Sequence, residues 1–364
     1  MLFTKSRTIK VVEYTRGSVT TSHARLTPTG IHSDFHFNGW RLAQGVAMTI
    51  CSRHINQPEY WFYHISSLLS LSNLIDSHQP NVRIKSSRIS SLRDFSRTSR
   101  IGEMSQGLVY LYMQNTGFPY VNDFHFFCYN NQITIPYLAP TPDFVCQDRN
   151  LANQICLVES KGKETISSGG VKVKLAKAIN QCVSGESIIN ASGNYNVIKY
   201  LGFCSEWSDE NDPIDSVLHF VDPDEEVRQQ ETNSAPMRFH YAAWFYMIGD
   251  FENAQKLVRG EKINLNEKYF QKHTVIDKKK YWILQRFPYN LESNLQRYLY
   301  YYILEEFLFF HPAGITIGIS DEIIERLISQ NYKEISEIIF SNESIENFEF
   351  FSDGTLIIKP VKNE

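Results

Sequence analysis

The sequence predicts an α/β protein with a mainly helical C-terminal region, and three observations indicate this. Short β-type runs bounded by turn residues lie between residues 121 and 163. Apolar positions at helical spacing come before and after these runs, and long helical patterns fill the last third of the chain. With 364 residues, of which 42% are hydrophobic and 13% aromatic, the chain is long and apolar enough for a core and a second domain.

The N-terminal segment, residues 1–94, is predicted to be α/β. It begins with a strand-like run over residues 7–14, and two helical patterns follow over residues 39–55 and 60–76. It leads into the most basic stretch of the chain, a Ser-rich segment in which six basic residues are opposed by one acid. These residues are Arg83, Lys85, Arg88, Arg93, Arg97 and Arg100. Contact with several phosphates and a flexible solvated loop both fit this composition.

The central segment, residues 95–207, alternates helical and β patterns. A helix is predicted over residues 101–116, since Gly117 and Pro119 end a helix. Three strand-like runs follow, at residues 121–130, 141–149 and 153–163. A turn from Ser167 to Gly170 then leads to a basic helix ending at Gly185 and to a last strand, at residues 171–185 and 194–207.

An acidic stretch separates this core from the C-terminal third. Ten acids oppose one arginine between Ser205 and Glu231, so residues 208–232 are predicted to be a linker or a solvated loop. Residues 233–364 are predicted to be mainly helical, with a closing hairpin whose turn is Asp353 and Gly354. The aromatic run over residues 298–310 is expected to be core or the face of a homodimer.

Composition excludes several classes of protein. A net charge of −4 argues against a protein that coats nucleic acid through bulk charge, so any such contact must come from a local patch. Six cysteines lack the short spacing of a zinc site and are expected to be buried free thiols. Without a signal-peptide pattern or an apolar run of roughly 20 residues, we expect a soluble cytoplasmic protein that does not enter a membrane.

Two acids and a lysine form the most informative pattern. Asp143 stands at the head of one strand, and Glu159 and Lys161 lie two apart at the end of the next, after the apolar run ICLV. Because strand side chains alternate, Glu159 and Lys161 share a face and Ser160 points the opposite way. Charges at the end of a buried strand are costly without partners, which favours a functional role. Two carboxylates suit Mg²⁺, and a nearby ammonium can orient water and offset negative charge.

Pro142-Asp143, fifteen intervening residues and Glu159-Ser160-Lys161 resemble the PD-(D/E)XK nuclease superfamily, which includes restriction enzymes and recombination nucleases. The family order of helix, strand, strand with the aspartate, strand with ExK, helix and strand also fits residues 101–207, under a third of the chain. The resemblance implies a restriction-endonuclease-like core, a central mixed sheet flanked by helices. It further implies phosphodiester hydrolysis, DNA as substrate, Mg²⁺ with Mn²⁺ as a substitute, and a setting in restriction or phage defence, with a multi-protein defence complex as a candidate partner.

The resemblance also assigns roles to residues. Asp143 and Glu159 would bind the metal, and Lys161 would position water. Glu103, on the leading helix, corresponds to a further metal-proximal acid, and Gln106 lies one turn on along the same face. Gln181 corresponds to a polar residue turned toward the site from the helix after ExK.

Other assignments stay open at this point. Asp148 or Glu164 replaces a central acid if the strand boundaries shift by a few residues. Glu103 also fits a solvated first-turn residue favoured by the helix dipole. Eight basic residues are predicted to contact nucleic acid, namely Arg88, Arg93, Arg97, Arg100, Lys163, Lys172, Lys174 and Lys177.

Two alternative functions fit the same residues. One is a catalytically inactive nuclease-like protein that binds nucleic acid or serves as a scaffold. The other is an RNase or a junction resolvase on the same core. Metal dependence separates the first from an active nuclease, and substrate tests separate the second.

Overall fold

The computed structural model divides into two compact units. One comprises Met1–His54 and Phe62–Met237, and the other Ile55–Trp61 and Arg238–Glu364. The structure describes residues 5–16, 26–50, 60–76, 78–149, 154–165, 170–193, 195–222, 234–248, 250–265, 270–284, 316–345 and 347–359. Within these ranges, none of the helices has the combined length and apolar character that crossing a bilayer requires.

A seven-stranded mixed sheet forms the centre of the first unit. Its strands are β1 (Arg7–Arg16), β2 (Leu26–Phe37), β3 (Tyr120–Asp123), β4 (Phe144–Gln147), β5 (Gln154–Glu164), β6 (Asn196–Trp207) and β7 (Val217–Val221). The spatial order is β2-β1-β7-β6-β5-β4-β3. The β1–β7 and β5–β6 pairs are parallel, and the other neighbours are antiparallel.

Helices flank this sheet. They are α1 (Gly39–Ile50), α2 (Tyr60–Leu74), α3 (Ser86–Ile89), α4 (Asp94–Asn115), α5 (Phe124–Asn130) and α6 (Val171–Asn190). A Cβ on Gly162 of β5 would lie 2.5 Å from Ser105 Oγ of α4, and a Cβ on Gly202 of β6 would lie 3.1 Å from Ala178 Cβ of α6. Gly202 pairs in register with Glu159, so these two residues point to the same face of the sheet. Gly162 is three positions after Glu159 and points to the other face, so α4 and α6 cover opposite faces.

The second unit contains a six-stranded sheet in which all neighbouring strands are antiparallel. Its strands are β8 (Phe270–Ile276), β9 (Lys279–Leu284), β10 (Thr316–Ser320), β11 (Ser344–Ile345), β12 (Phe348–Phe350) and β13 (Thr355–Ile358). The helices within the described residues of the C-terminal third are α7 (Ala235–Met247), α8 (Phe251–Arg259), α9 (Asp321–Ser329) and α10 (Tyr332–Glu337).

The predicted fold class is confirmed as an α/β fold with a mixed sheet flanked by helices. The five cysteines within the described residues are buried free thiols, as expected. The expectation of a mainly helical C-terminal region needs correction for its described part. Six short strands form a sheet there in addition to the helices. Apolar runs of only a few residues do not distinguish a strand from a helix by periodicity. The predicted helix and aromatic run within residues 291–310 lie outside the described residues.

The acidic stretch is not simply a linker. Its described part contains β7, which lies between β1 and β6 within the sheet. Arg83 Nη2 pairs with Asp215 Oδ1 at 2.8 Å, and Arg83 Nη1 donates to the Asp209 carbonyl at 3.0 Å. The first arginine of the basic stretch is thus paired with an acid of this stretch, although the two residues are distant in sequence. Residues 223–233 lie outside the described structure.

Several local boundaries also differ from the sequence prediction. The expected strand over residues 121–130 ends at Asp123, whose side chain accepts from the Phe126 N–H at 2.6 Å and caps α5. Helix α4 begins at Asp94, inside the basic stretch, and α6 continues past Gly185. Strand β2 was not predicted.

Candidate functional site

Asp143 and Glu159 lie side by side at the end of β4. Phe144, the first residue of β4, pairs with Val158 in the antiparallel β4–β5 ladder, so Asp143 and Glu159 are the residues that adjoin the last pair of the ladder. The charge of Asp143 also raises the pKa of Glu159, which agrees with this proximity. The structure therefore brings together the two acids that the sequence singled out.

Two hydrogen bonds orient the Asp143 side chain. Its Oδ2 accepts from the Ser160 backbone N–H at 2.9 Å, and its Oδ1 accepts from Gln106 Nε2 of α4 at 2.8 Å. Burial raises the pKa of Asp143, although both hydrogen bonds and the charge of Lys161 oppose the shift. The carboxylate is consequently held in one orientation by β5 on one side and by α4 on the other.

Glu159 is a buried carboxylate with a free oxygen. The residue is only 2% exposed, and its Oε1 accepts from Lys161 Nζ, two residues along β5. Its Oε2 is buried and has no hydrogen-bond partner among the described residues. Burial, followed by the charge of Asp143, raises the pKa of Glu159 to about 8, although the charge and hydrogen bond of Lys161 and, last, the Asp143 backbone N–H lower it. Burial of Glu159 Oε2 without a donor costs free energy, which a bound cation or a proton would offset.

Asp143 and Glu159 fit the needs of a hard divalent cation. Mg²⁺ prefers oxygen ligands and is usually held by one or two carboxylates, with water and substrate phosphate completing its shell. Among the described residues there is no group of three or more His, Cys, Asp or Glu side chains arranged for a metal ion. Asp143 and Glu159 are the two side chains that would hold such an ion.

Glu103 forms an ion pair within its own helix. Its Oε2 accepts from Arg100 Nη1 at 2.7 Å, three residues earlier on α4, and its role at the metal stays a prediction. The alternative acids are also accounted for. Glu164 is paired with Arg97 through both carboxylate oxygens, and Asp148 follows β4 at the end away from Asp143.

Gln181 forms a hydrogen bond with the backbone just before Asp143. Its Nε2 donates to the Thr141 carbonyl at 2.7 Å, two residues before Asp143. Gln106, which directly contacts Asp143, was noted in the sequence only for sharing a helix face with Glu103. The backbone N–H of Ser160 carries no sequence signal, since any residue there would supply it.

The predicted nucleic-acid contacts divide into two groups. Lys163 is a wrong prediction, because its side chain is buried and Nζ pairs with Glu206 Oε1 at 2.6 Å. Arg97 and Arg100 form ion pairs with Glu164 and Glu103 but are partly exposed, so their contacts with nucleic acid stay predictions. The other predicted residues are also at least partly exposed, on α3, before α4 or on α6, namely Arg88, Arg93, Lys172, Lys174 and Lys177.

Comparison of the chain with protein-family models, with curated proteins and with solved structures found no match.

Proposed function

We propose that this protein is a divalent-metal-dependent nuclease that hydrolyses phosphodiester bonds, with DNA as its first candidate substrate. One observation carries the proposal. Asp143 comes directly before the β4 residue that pairs with Val158, next to Glu159, and Glu159 Oε2 is buried without a hydrogen-bond partner among the described residues. The chain order α4, β3, β4, β5, α6, β6 adds support, since it follows the core order of the PD-(D/E)XK superfamily with α5 inserted.

Each residue of the site has a separate role in this proposal. Asp143 and Glu159 would hold Mg²⁺, which when bound supplies a Lewis acid for the scissile phosphate. Lys161 lies beside Glu159, where its ammonium would orient the attacking water and offset developing negative charge. Gln106 and the Ser160 N–H keep the Asp143 carboxylate in place before substrate arrives.

The alternative of a non-catalytic scaffold leads to a different expectation. Asp143 already accepts two hydrogen bonds, so in a scaffold these would be its whole role and the protein would not bind metal through it. The unpartnered Glu159 Oε2 favours the nuclease, because a structural carboxylate at this depth would be satisfied by donors.

A cleavage assay tests the proposal. The purified protein is incubated with plasmid, linear duplex DNA, single-stranded DNA and RNA, each with Mg²⁺, Mn²⁺ or EDTA. We expect metal-dependent cleavage that falls at least about a hundredfold in Asp143→Asn and in Lys161→Met. Asp148→Asn, an acid at the other end of β4, is the matched control and should retain activity. Absence of cleavage by the wild type, or full activity of Asp143→Asn, would overturn the proposal.

A further inference from the structure

The loop between α5 and β4 exposes two large apolar side chains at its tip. Tyr137 is 92% exposed and its neighbour Leu138 is 83% exposed. Single apolar residues on a surface need no explanation. Two adjacent ones on the loop that leads to Asp143 form a distinct feature, which we call the Tyr137–Leu138 tip.

The backbone of this tip is strained. Ala139 N–H donates to the Pro136 carbonyl at 3.1 Å, which closes a turn with Tyr137 and Leu138 at its centre. Leu138 has a φ of +61°, the left-handed conformation that glycine adopts readily at the third position of such a turn. A leucine in this conformation costs free energy, and such strain is concentrated at functional sites.

The segment after the tip is fixed to the body of the unit. Thr141 is held by Gln181 of α6 through its carbonyl, and Thr141 Oγ1 lies 3.0 Å from His125 Nε2. Pro142 lies so close to α6 that a Cβ on Gly185 would be 2.5 Å from Pro142 Cδ. Asp143 is six positions after Tyr137, which limits their Cα atoms to about 21 Å apart even in a fully extended chain.

Basic residues lie on the helix that holds this loop. Lys177 and Lys174 precede Gln181 by four and seven residues on α6, one and two helical turns along the same side. Lys177 is exposed and Lys174 is half-buried. An aromatic side chain that can stack bases, together with ammonium groups that can contact phosphates, is typical of proteins that bind single-stranded nucleic acid.

We propose that the Tyr137–Leu138 tip stacks an unpaired nucleobase of the substrate, so that the preferred substrate is a nucleic acid strand with unpaired bases near the cleaved bond. This inference rests on the proposed nuclease function. A paired duplex presents its bases only at its ends and grooves, whereas every unpaired base offers a face for stacking on Tyr137. The shared chemistry of single-stranded DNA and RNA is sufficient for this contact.

The test measures binding without metal, so that it does not depend on cleavage. Oligonucleotides of DNA and of RNA, single-stranded and duplex, carry 2-aminopurine, whose fluorescence is quenched by stacking. We expect the wild type to quench and bind the single strands. Tyr137→Ala should weaken binding of single strands by about tenfold, whereas Tyr137→Trp should retain it. Binding of duplexes should be the same in all three proteins. Phe95→Ala, which removes another exposed aromatic side chain, 84% exposed, is the matched control.

The outcomes separate the two proposals. Equal single-strand binding by Tyr137→Ala and the wild type, or binding of neither nucleic acid, would overturn the stacking site. If the wild type cuts duplex DNA while Tyr137→Ala changes nothing, the nuclease proposal stands alone. If single strands bind through Tyr137 but no substrate is cut, the stacking site stands and the nuclease proposal fails.

Discussion

Asp143 Oδ2 accepts the backbone N–H of Ser160 at 2.9 Å, where a strand partner would normally offer a carbonyl. Register continues β4 past Phe144 to a position where Pro142 would face Ser160, but β4 begins only at Phe144. The carboxylate thus replaces a backbone acceptor at the end of the ladder. The sheet therefore sets the orientation of the Asp143 carboxylate before a metal ion or a substrate binds.

Gln106→Leu should weaken the site without unfolding the protein. The substitution removes the donor to Asp143 Oδ1 and keeps a side chain of similar size. Because this hydrogen bond lowers the pKa of Asp143, its loss should raise that pKa further. We expect the acid limb of the pH–rate profile to move to higher pH and activity to fall about tenfold. An unchanged profile would show that Gln106 does not position Asp143.

Glu159→Gln should change how the stability of the metal-free protein depends on pH. The folded-state pKa of Glu159 is about 8, above its ordinary value of 4.5, because of burial. Between these values the unfolded chain releases the proton and the folded protein keeps it. Stability therefore falls as pH rises, by about 1.4 kcal/mol per pH unit, and levels off above the folded pKa.

The glutamine variant lacks this titration. Urea unfolding of both proteins from pH 5 to 9 should give a difference in unfolding free energy that widens with pH in favour of Glu159→Gln. Parallel curves would mean that Glu159 titrates near its ordinary pKa.

Arg97→Ala should lower stability because it leaves a buried acid without its donors. Arg97 binds both oxygens of Glu164, whose side chain is mostly buried. We expect a loss of about 1–3 kcal/mol in the free energy of unfolding. Arg93→Ala, at an exposed neighbour, should stay within about 0.5 kcal/mol of the wild type. Equal effects of the two variants in urea unfolding would contradict a structural role for Arg97.

His240→Ala should destabilise the second unit. His240 Nε2 lies 2.7 Å from Asp353 Oδ2, and both side chains are fully buried. Removing one partner of a buried pair costs about 3–5 kcal/mol, and here Asp353 Oδ2 loses its contact with His240 while Oδ1 keeps its hydrogen bonds from Thr355. Hydrogen exchange should show faster opening of β13, whose Thr355 donates to Asp353. Lys256→Ala, which breaks a solvent-exposed pair with Glu252, is the contrasting control and should change exchange little.

The central site was predictable because its signals are local. Two-residue alternation placed Glu159 and Lys161 on one face, and a short apolar run identified their strand. Distant partners were not predictable in the same way. Lys163 shares that face, but its partner Glu206 lies 43 residues onward and is brought near only by the β5–β6 register.

Charge composition was the least reliable guide. The excess of acids suggested a linker, yet Arg83 and Asp215 pair across 132 residues of sequence and β7 follows directly. The mostly apolar run VLHFV does predict a strand at β7, but the excess of surrounding acids favoured the linker in the sequence-based prediction. The capping role of Asp123 was also present in the sequence, although a strand-like run of aromatic residues concealed the start of α5.

Manganese binding tests the central claim most directly, because it needs neither substrate nor turnover. Titration followed by the electron paramagnetic resonance of free Mn²⁺ should show binding that strengthens as pH rises toward about 8, since Glu159 must lose its proton. Asp143→Asn and Glu159→Gln should each weaken binding at least about tenfold, whereas Asp148→Asn should not. Equal affinity in all four proteins, or no binding by the wild type, would contradict a metal site formed by Asp143 and Glu159.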